Sequence, residues 1–266
     1  MRKYLAFFRL KFTYGLQYRA AALAGIVTQF AWGFMEILVF LAFYESSPEQ
    51  FPMSLSAVCS YVWLQQAFLA FFAVWMMDSD IFQTIMDGNI AYELCRPLHI
   101  YEMWFFRSLA DRMARAVLRC FPILIVAACL PEPYGISRPN ATDFFLFVLT
   151  LLLGLLVTVA FCMFVYCFAF FTISPEGLRI FVVSTVEFLS GAILPLPFFP
   201  RGLEKVLELL PFASMQNVAL RIYSGSMTQP QTIRAVLLQV FWLVLLVAGG
   251  RGLSLLAERR AVVQGG

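Results

Sequence analysis

The sequence predicts an all-α integral membrane protein with six transmembrane helices, and three observations carry that prediction. Composition is the first: 61% of the 266 residues are hydrophobic, 17% aromatic and 13% charged, against roughly half apolar and a quarter charged in soluble domains. The second is run length, because six apolar stretches approach the roughly 20 residues that cross a hydrocarbon core of about 30 Å. The third is where the charges sit. Arg2, Lys3, Arg9, Lys11 and Arg19 precede the first stretch and Arg251, Arg259 and Arg260 lie near the end of the chain, so the positive-inside rule puts both termini in the cytoplasm. A net charge of +3 is too small to imply a nucleic-acid partner.

Residues 1–20 place Leu5, Phe8, Phe12 and Leu16 at helical spacings of three and four, which predicts either a helix lying in the cytoplasmic interface or a basic flank of the first span. Basic and aromatic residues are scattered through this stretch, unlike a compact signal-peptide core, so the first span is expected to stay in place. That span, about 21–44, contains Glu36, a carboxylate costly in lipid and expected to face protein or a water-filled cavity. The following loop carries Glu45 and Glu49 without Lys or Arg, which suits the outer side. A second span, about 57–77, holds Gln65 and Gln66, readable as amides lining a path or as glue between helices.

A polar island covers 78–100 and includes Asp78, Asp80, Asp87, Glu93 and Arg96. The third span, about 108–130, opens with Arg107, Asp111, Arg115 and Arg119 every four residues. These share one helix face, where Asp111 can bridge to Arg107 or Arg115. The face reads as the snorkelling end of a span or as a basic vestibule for an anionic head group. After a turn-rich outer loop comes a fourth span, about 144–172, and a short turn broken by Pro175 and Gly177. The fifth span, about 180–196, holds Glu187 and stops at Pro195, Pro197 and Pro200. Residues 194–226 are too charged to span and too apolar for a free loop, which predicts short re-entrant helices on the outer side. A sixth span, about 233–256, leads to a cytoplasmic tail.

Catalytic signatures are absent from the sequence. No Gly-Lys-Ser or Gly-Lys-Thr step of a phosphate-binding loop occurs, nor G-x-S-x-G or H-E-x-x-H, and His99 is the sole histidine. The six cysteines show neither disulfide nor metal spacing. A non-catalytic chain with no metal site follows as the expectation.

The run Gly88-Asn89-Ile90-Ala91-Tyr92-Glu93-Leu94-Cys95-Arg96-Pro97-Leu98, together with Pro195 to Pro200 and Leu210-Pro211-Phe212, resembles the ABC-2 type permease subunits of ATP-binding-cassette exporters. The likeness is nearest to the small six-span permeases encoded in pairs beside one ATPase gene. The resemblance implies a bacterial inner-membrane subunit that forms the translocation path with a second, identical or paralogous permease. It also implies two separate ATPase subunits, which bind ATP and Mg in place of any cofactor in this chain. A coupling element would fall on the segment between spans two and three, with Asp87, Gly88, Asn89, Tyr92, Glu93, Arg96 and Pro97 as docking residues and Glu176 in a second, smaller contact. Glu36, Gln65, Gln66 and Glu187 are the pathway candidates. An ion-coupled secondary transporter and a non-transporting scaffold subunit stand as the alternative readings; the former would want matched repeats around Glu36 and Glu187.

Overall fold

The computed structural model describes residues 2–260, so the expected tail over 261–266 lies outside the described residues. It is 78% helical, with no strand among the described residues. The α-helices are α1 (Arg2–Gly15), α2 (Arg19–Ser46), α3 (Leu55–Ala67), α4 (Leu69–Phe72), α5 (Ser79–Met86), α6 (Ile90–Leu94) and α7 (Ile100–Cys129) in the first half. The second half holds α8 (Ala141–Ala169), α9 (Pro175–Leu189), α10 (Arg201–Leu209), α11 (Asn217–Tyr223) and α12 (Gln229–Arg260). Starts follow local chemistry. Ser54 accepts the Ala57 N–H at the head of α3, and Ser174 accepts the Gly177 N–H at the head of α9, where Pro175 also pre-sets the first turn.

Three helices are long and apolar enough to cross a membrane: α2, α8 and residues 229–258 of α12. The most apolar stretch of α8 is 50% buried, against 28% in α2 and 22% in α12, so α8 is the central helix of the three. Helices α12, α11 and α7 pack on it. Between α8 and the 214–215 backbone there is no room for a side chain, since a Cβ on Gly154 would lie 2.1 Å from the Met215 carbonyl oxygen. The Gln239 amide of α12 donates to the carbonyls of Thr150, 3.1 Å, and Ser214, 2.9 Å, tying the same three elements together. Leu23, Val27, Leu38 and Phe43 of α2 remain exposed, the expected arrangement where lipid rather than water is the solvent.

Where the sequence predicts one second span over about 57–77, the helix stops at Ala67 and continues as α4 and a 3₁₀ turn, Val74–Met76. The break leaves the Ala70 and Phe71 carbonyls without helical partners, and Arg112 of α7 satisfies them while sharing the Ala73 carbonyl with the Met76 N–H. Its Nη1 donates to Ala70 O at 3.0 Å, Phe71 O at 3.3 Å and Ala73 O at 3.0 Å. The stretch expected as a fifth span over about 180–196 is helical as α9, which ends at Leu189 before Gly191 turns the chain at φ +83°. The 194–226 segment forms short helices as expected, a 3₁₀ turn at Leu196–Phe198 and then α10 and α11.

Helix α1 exists as predicted and packs along the first half of α7. The Tyr4 ring stacks on Phe106 at 5.8 Å, the Tyr4 hydroxyl accepts the His99 N–H, and Gly15 abuts Ala114. The face in contact runs through Tyr4, Phe7 and Gly15, while Leu5 of the predicted apolar stripe is 67% exposed. All six cysteines are free, with Cys95 and Cys129 exposed and the other four buried.

Three substitutions test this packing. Replacing Gly154 with Ala forces backbone apart and is expected to cost about 1–3 kcal/mol, whereas Gly202→Ala on α10 meets open space and leaves thermal unfolding in detergent unchanged or slightly higher. Arg112→Met strips the Ala70 and Phe71 carbonyls of their donor and is expected to destabilise by about 2–5 kcal/mol, measured in the same unfolding assay.

Candidate functional site

The 78–98 segment is held on the helical body at both ends. Asp78 caps α5 by accepting the Asp80 N–H at 3.0 Å, and its own N–H donates to the Tyr166 hydroxyl of α8 at 2.6 Å. Arg107 of α7 closes the arrangement, with Nε 2.6 Å from Asp78 Oδ2 and Nη2 2.9 Å from Asp80 Oδ2. Arg107 is committed to these two carboxylates from another element, and Asp111 makes no ion pair with Arg107 or Arg115, contrary to the sequence expectation. Further along, the Trp104 indole donates to Glu93 Oε2 at 2.6 Å, and Arg96 lies 3.7 Å from Glu93 Oε1.

The residues proposed to dock fall into two kinds. Gly88 has φ +68° and so permits the turn between α5 and α6. Asp87, Asn89 and Pro97 are exposed, Tyr92 is 76% exposed and the Arg96 side chain 52% exposed, while Glu93 turns inward to Trp104. The second contact lies beside the first: α9 packs on α5, the Arg179 guanidinium covers the Phe82 ring at 5.9 Å, and Arg179 lies 3.5 Å from Glu176. Ile173, at the tip of that turn, is fully exposed.

The pathway candidates separate. Gln66 is the hydrogen-bond partner of the half-buried Glu36 carboxyl. Gln65 instead ties α3 to the turn after α9, donating to Ala192 O at 2.7 Å beside a Tyr61 hydroxyl that donates to Gly191 O at 3.1 Å. Glu187 is half-buried and makes no hydrogen bond or ion pair among the described residues.

The arginine stripe lines a cavity of about 990 Å³ between α1, the start of α2, residues 75–80 and α7. Its cations are Lys11, Arg107, Arg112, Arg115, Arg119 and Arg179, and its acids Asp78, Asp80 and Asp111. Arg112 is the member that the four-residue spacing passes over. It is 2% exposed, and the small residues Ala110, Ala114 and Ala116 around it are the sequence signal that this part of α7 is buried rather than solvated.

Reading by span also passes over Arg221, 4% exposed, whose Nη1 lies 2.7 Å from Glu208 and 3.6 Å from Glu204 and so pins α11 to α10. Burial raises the Glu204 carboxyl above the usual carboxylate range, and the neighbouring Arg221 charge opposes that rise. A lone cation in the apolar run NVALRIY is the signal that marks it.

Comparison with known proteins agrees with the resemblance carried by residues 88–98. No curated protein and no solved structure matches the chain. The family described as ABC-2 family transporter protein matches residues 30–251, a span that takes in the clamped 78–98 segment, the broken second stretch and the 194–226 helices. The chain therefore belongs to the ABC-2 family of transporter membrane proteins.

Proposed function

We propose that the chain is the membrane subunit of an ATP-binding-cassette exporter, that it forms the translocation path with a second copy or paralogue, and that it docks a separate ATPase through residues 78–98. The observation that supports this reading most is the mechanical one: the segment is fixed to α7 through Arg107 and to α8 through Tyr166, yet presents Tyr92 and Arg96 outward. A partner gripping those side chains pushes directly on two long helices. The neighbouring turn with Ile173 and Glu176 enlarges the same surface. Exposed Tyr and Arg are the residue types that anchor interfaces.

Both termini are cytoplasmic in this reading. The membrane is crossed six times, with α7 and the shorter α3 and α9 joining the three long apolar helices, and residues 194–226 dip into the outer face. ATP and Mg belong to the ATPase, whose closure biases a two-state permease dimer. Glu36 and Glu187 are the carboxylates proposed to face the path.

Docking and transmission are separable experimentally. Arg96→Glu reverses an exposed charge and is expected to weaken co-purification of the cognate ATPase about tenfold, or ~1.4 kcal/mol, with membrane insertion intact; normal binding and transport would sink the docking assignment. Gly88→Val places a β-branched residue at positive φ and is expected to act the same way, since such residues rarely adopt that conformation. Arg107→Gln removes the clamp rather than the contact. It is expected to leave ATPase binding near normal while lowering transport per ATP hydrolysed in proteoliposomes.

A further inference from the structure

The cavity beside α1 contains cations that the chain does not neutralise. Arg107 is engaged by Asp78 and Asp80, Arg112 by backbone carbonyls, and Arg179 by Glu176. Lys11, Arg115 and Arg119 have no ion pair among the described residues. Asp111 is within electrostatic range of Lys11 and Arg115 but in contact with neither.

Arg119 carries the strongest signal. Its Nε is sealed from solvent with no hydrogen-bond partner, and its guanidinium occupies the space left by the missing side chain of Gly25, where a Cβ would lie 2.6 Å from Cζ. A buried guanidinium edge without an acceptor is costly. Arg115 stands one turn earlier and adds like charge where helix neighbours ordinarily alternate.

These cations close on a space of about 990 Å³ whose remaining wall includes Leu10, Tyr14, Tyr18, Trp75 and Leu118. That is the size of a small-molecule site, with a cationic floor and an apolar, aromatic rim. Guanidinium forks match phosphate oxygens two at a time, and basic pockets between membrane helices suit phosphate head groups. We propose that this cavity binds an anionic phosphate group, held by Arg119 and Arg115 of α7 and Lys11 of α1, with the organic remainder of the ligand against the rim. The site needs no ATPase, so its failure leaves the permease reading standing, and loss of ATPase docking leaves the site standing.

The test uses the purified full-length chain in phosphatidylcholine nanodiscs. In one arm phosphatidic acid is added to the bilayer and bound lipid is counted by native mass spectrometry; in the other, inorganic phosphate is titrated into discs of phosphatidylcholine alone by calorimetry. Saturable binding is expected in at least one arm, and which arm responds identifies a lipid or a soluble source. Arg119→Gln is expected to weaken that binding about tenfold, the loss of one charge-assisted contact. Because Arg119 is partly buried, Arg115→Gln at an exposed position and Lys11→Gln on the other helix serve as second variants and should each weaken it several-fold. Arg201→Gln on α10 is the control and should change nothing. Absence of binding in both arms overturns the proposal, as does binding that all three cavity variants leave intact.

Discussion

One buried guanidinium sets the geometry of this protein. Arg112 sits in the middle of α7 at 2% exposure, with no carboxylate within ion-pair distance among the described residues. A bare charge there would be prohibitive. It is tolerated because the chain between α3 and the 3₁₀ turn at Val74–Met76 is not a continuous helix, so that the carbonyls of Ala70, Phe71 and Ala73 converge on it. Break and charge support each other: a straight helix would leave Arg112 without acceptors, and an apolar residue at 112 would leave the Ala70 and Phe71 carbonyls orphaned. The Cys162 sulfur, 3.4 Å from Nη2, brings α8 into the same contact.

From that junction α7 works as a shared axis. Toward its start, Arg107 and Trp104 hold the polar segment. Tyr4 and Gly15 of α1 lie along the same stretch, and the cavity opens between the two helices. These features are therefore attached to one helix, with the polar segment and the cavity wall sharing the side chains of α7. At the other pole α8, α12 and the 214–215 backbone are locked by Gln239 and by the absence of a side chain at Gly154. One region of the molecule is built from close backbone approach and neutral amides, the other from ion pairs.

How much of this was legible in the sequence depends on whether the signal was local. Helix α1, the long helices α2, α8 and α12 and the short helices over 194–226 follow from apolar runs and prolines, which act within a few residues of where they are read. Helix α9 instead ends at Leu189, ahead of the Pro195 expected to stop it, where Gly191 turns the chain. The break after Ala67 was not legible, because SYVWLQQAFLAFFAVWMM reads as one uninterrupted apolar helix and the reason it stops lies about forty residues away at Arg112. The Asp111 pairing failed for a related reason. Spacing along a helix names the neighbours on that helix, but Asp78 and Asp80 arrive from another element and present two carboxylates where Asp111 presents one. The family signature over 88–98 was legible as a string, whereas its attachment through Glu93 to Trp104 required three dimensions.

The distribution of free thiols has a further consequence. Cys95 stands just before α7 and Cys129 is its last residue; both are exposed, and the remaining four cysteines are buried. A helix of 30 residues is about 45 Å long at 1.5 Å per residue, which is the thickness of a bilayer with its head groups. In the six-span arrangement proposed above, where α7 crosses the membrane, the wild-type polypeptide carries one surface-exposed sulfur near each end of a membrane-length rod, so a membrane-impermeant maleimide applied from one side would be expected to label one and spare the other.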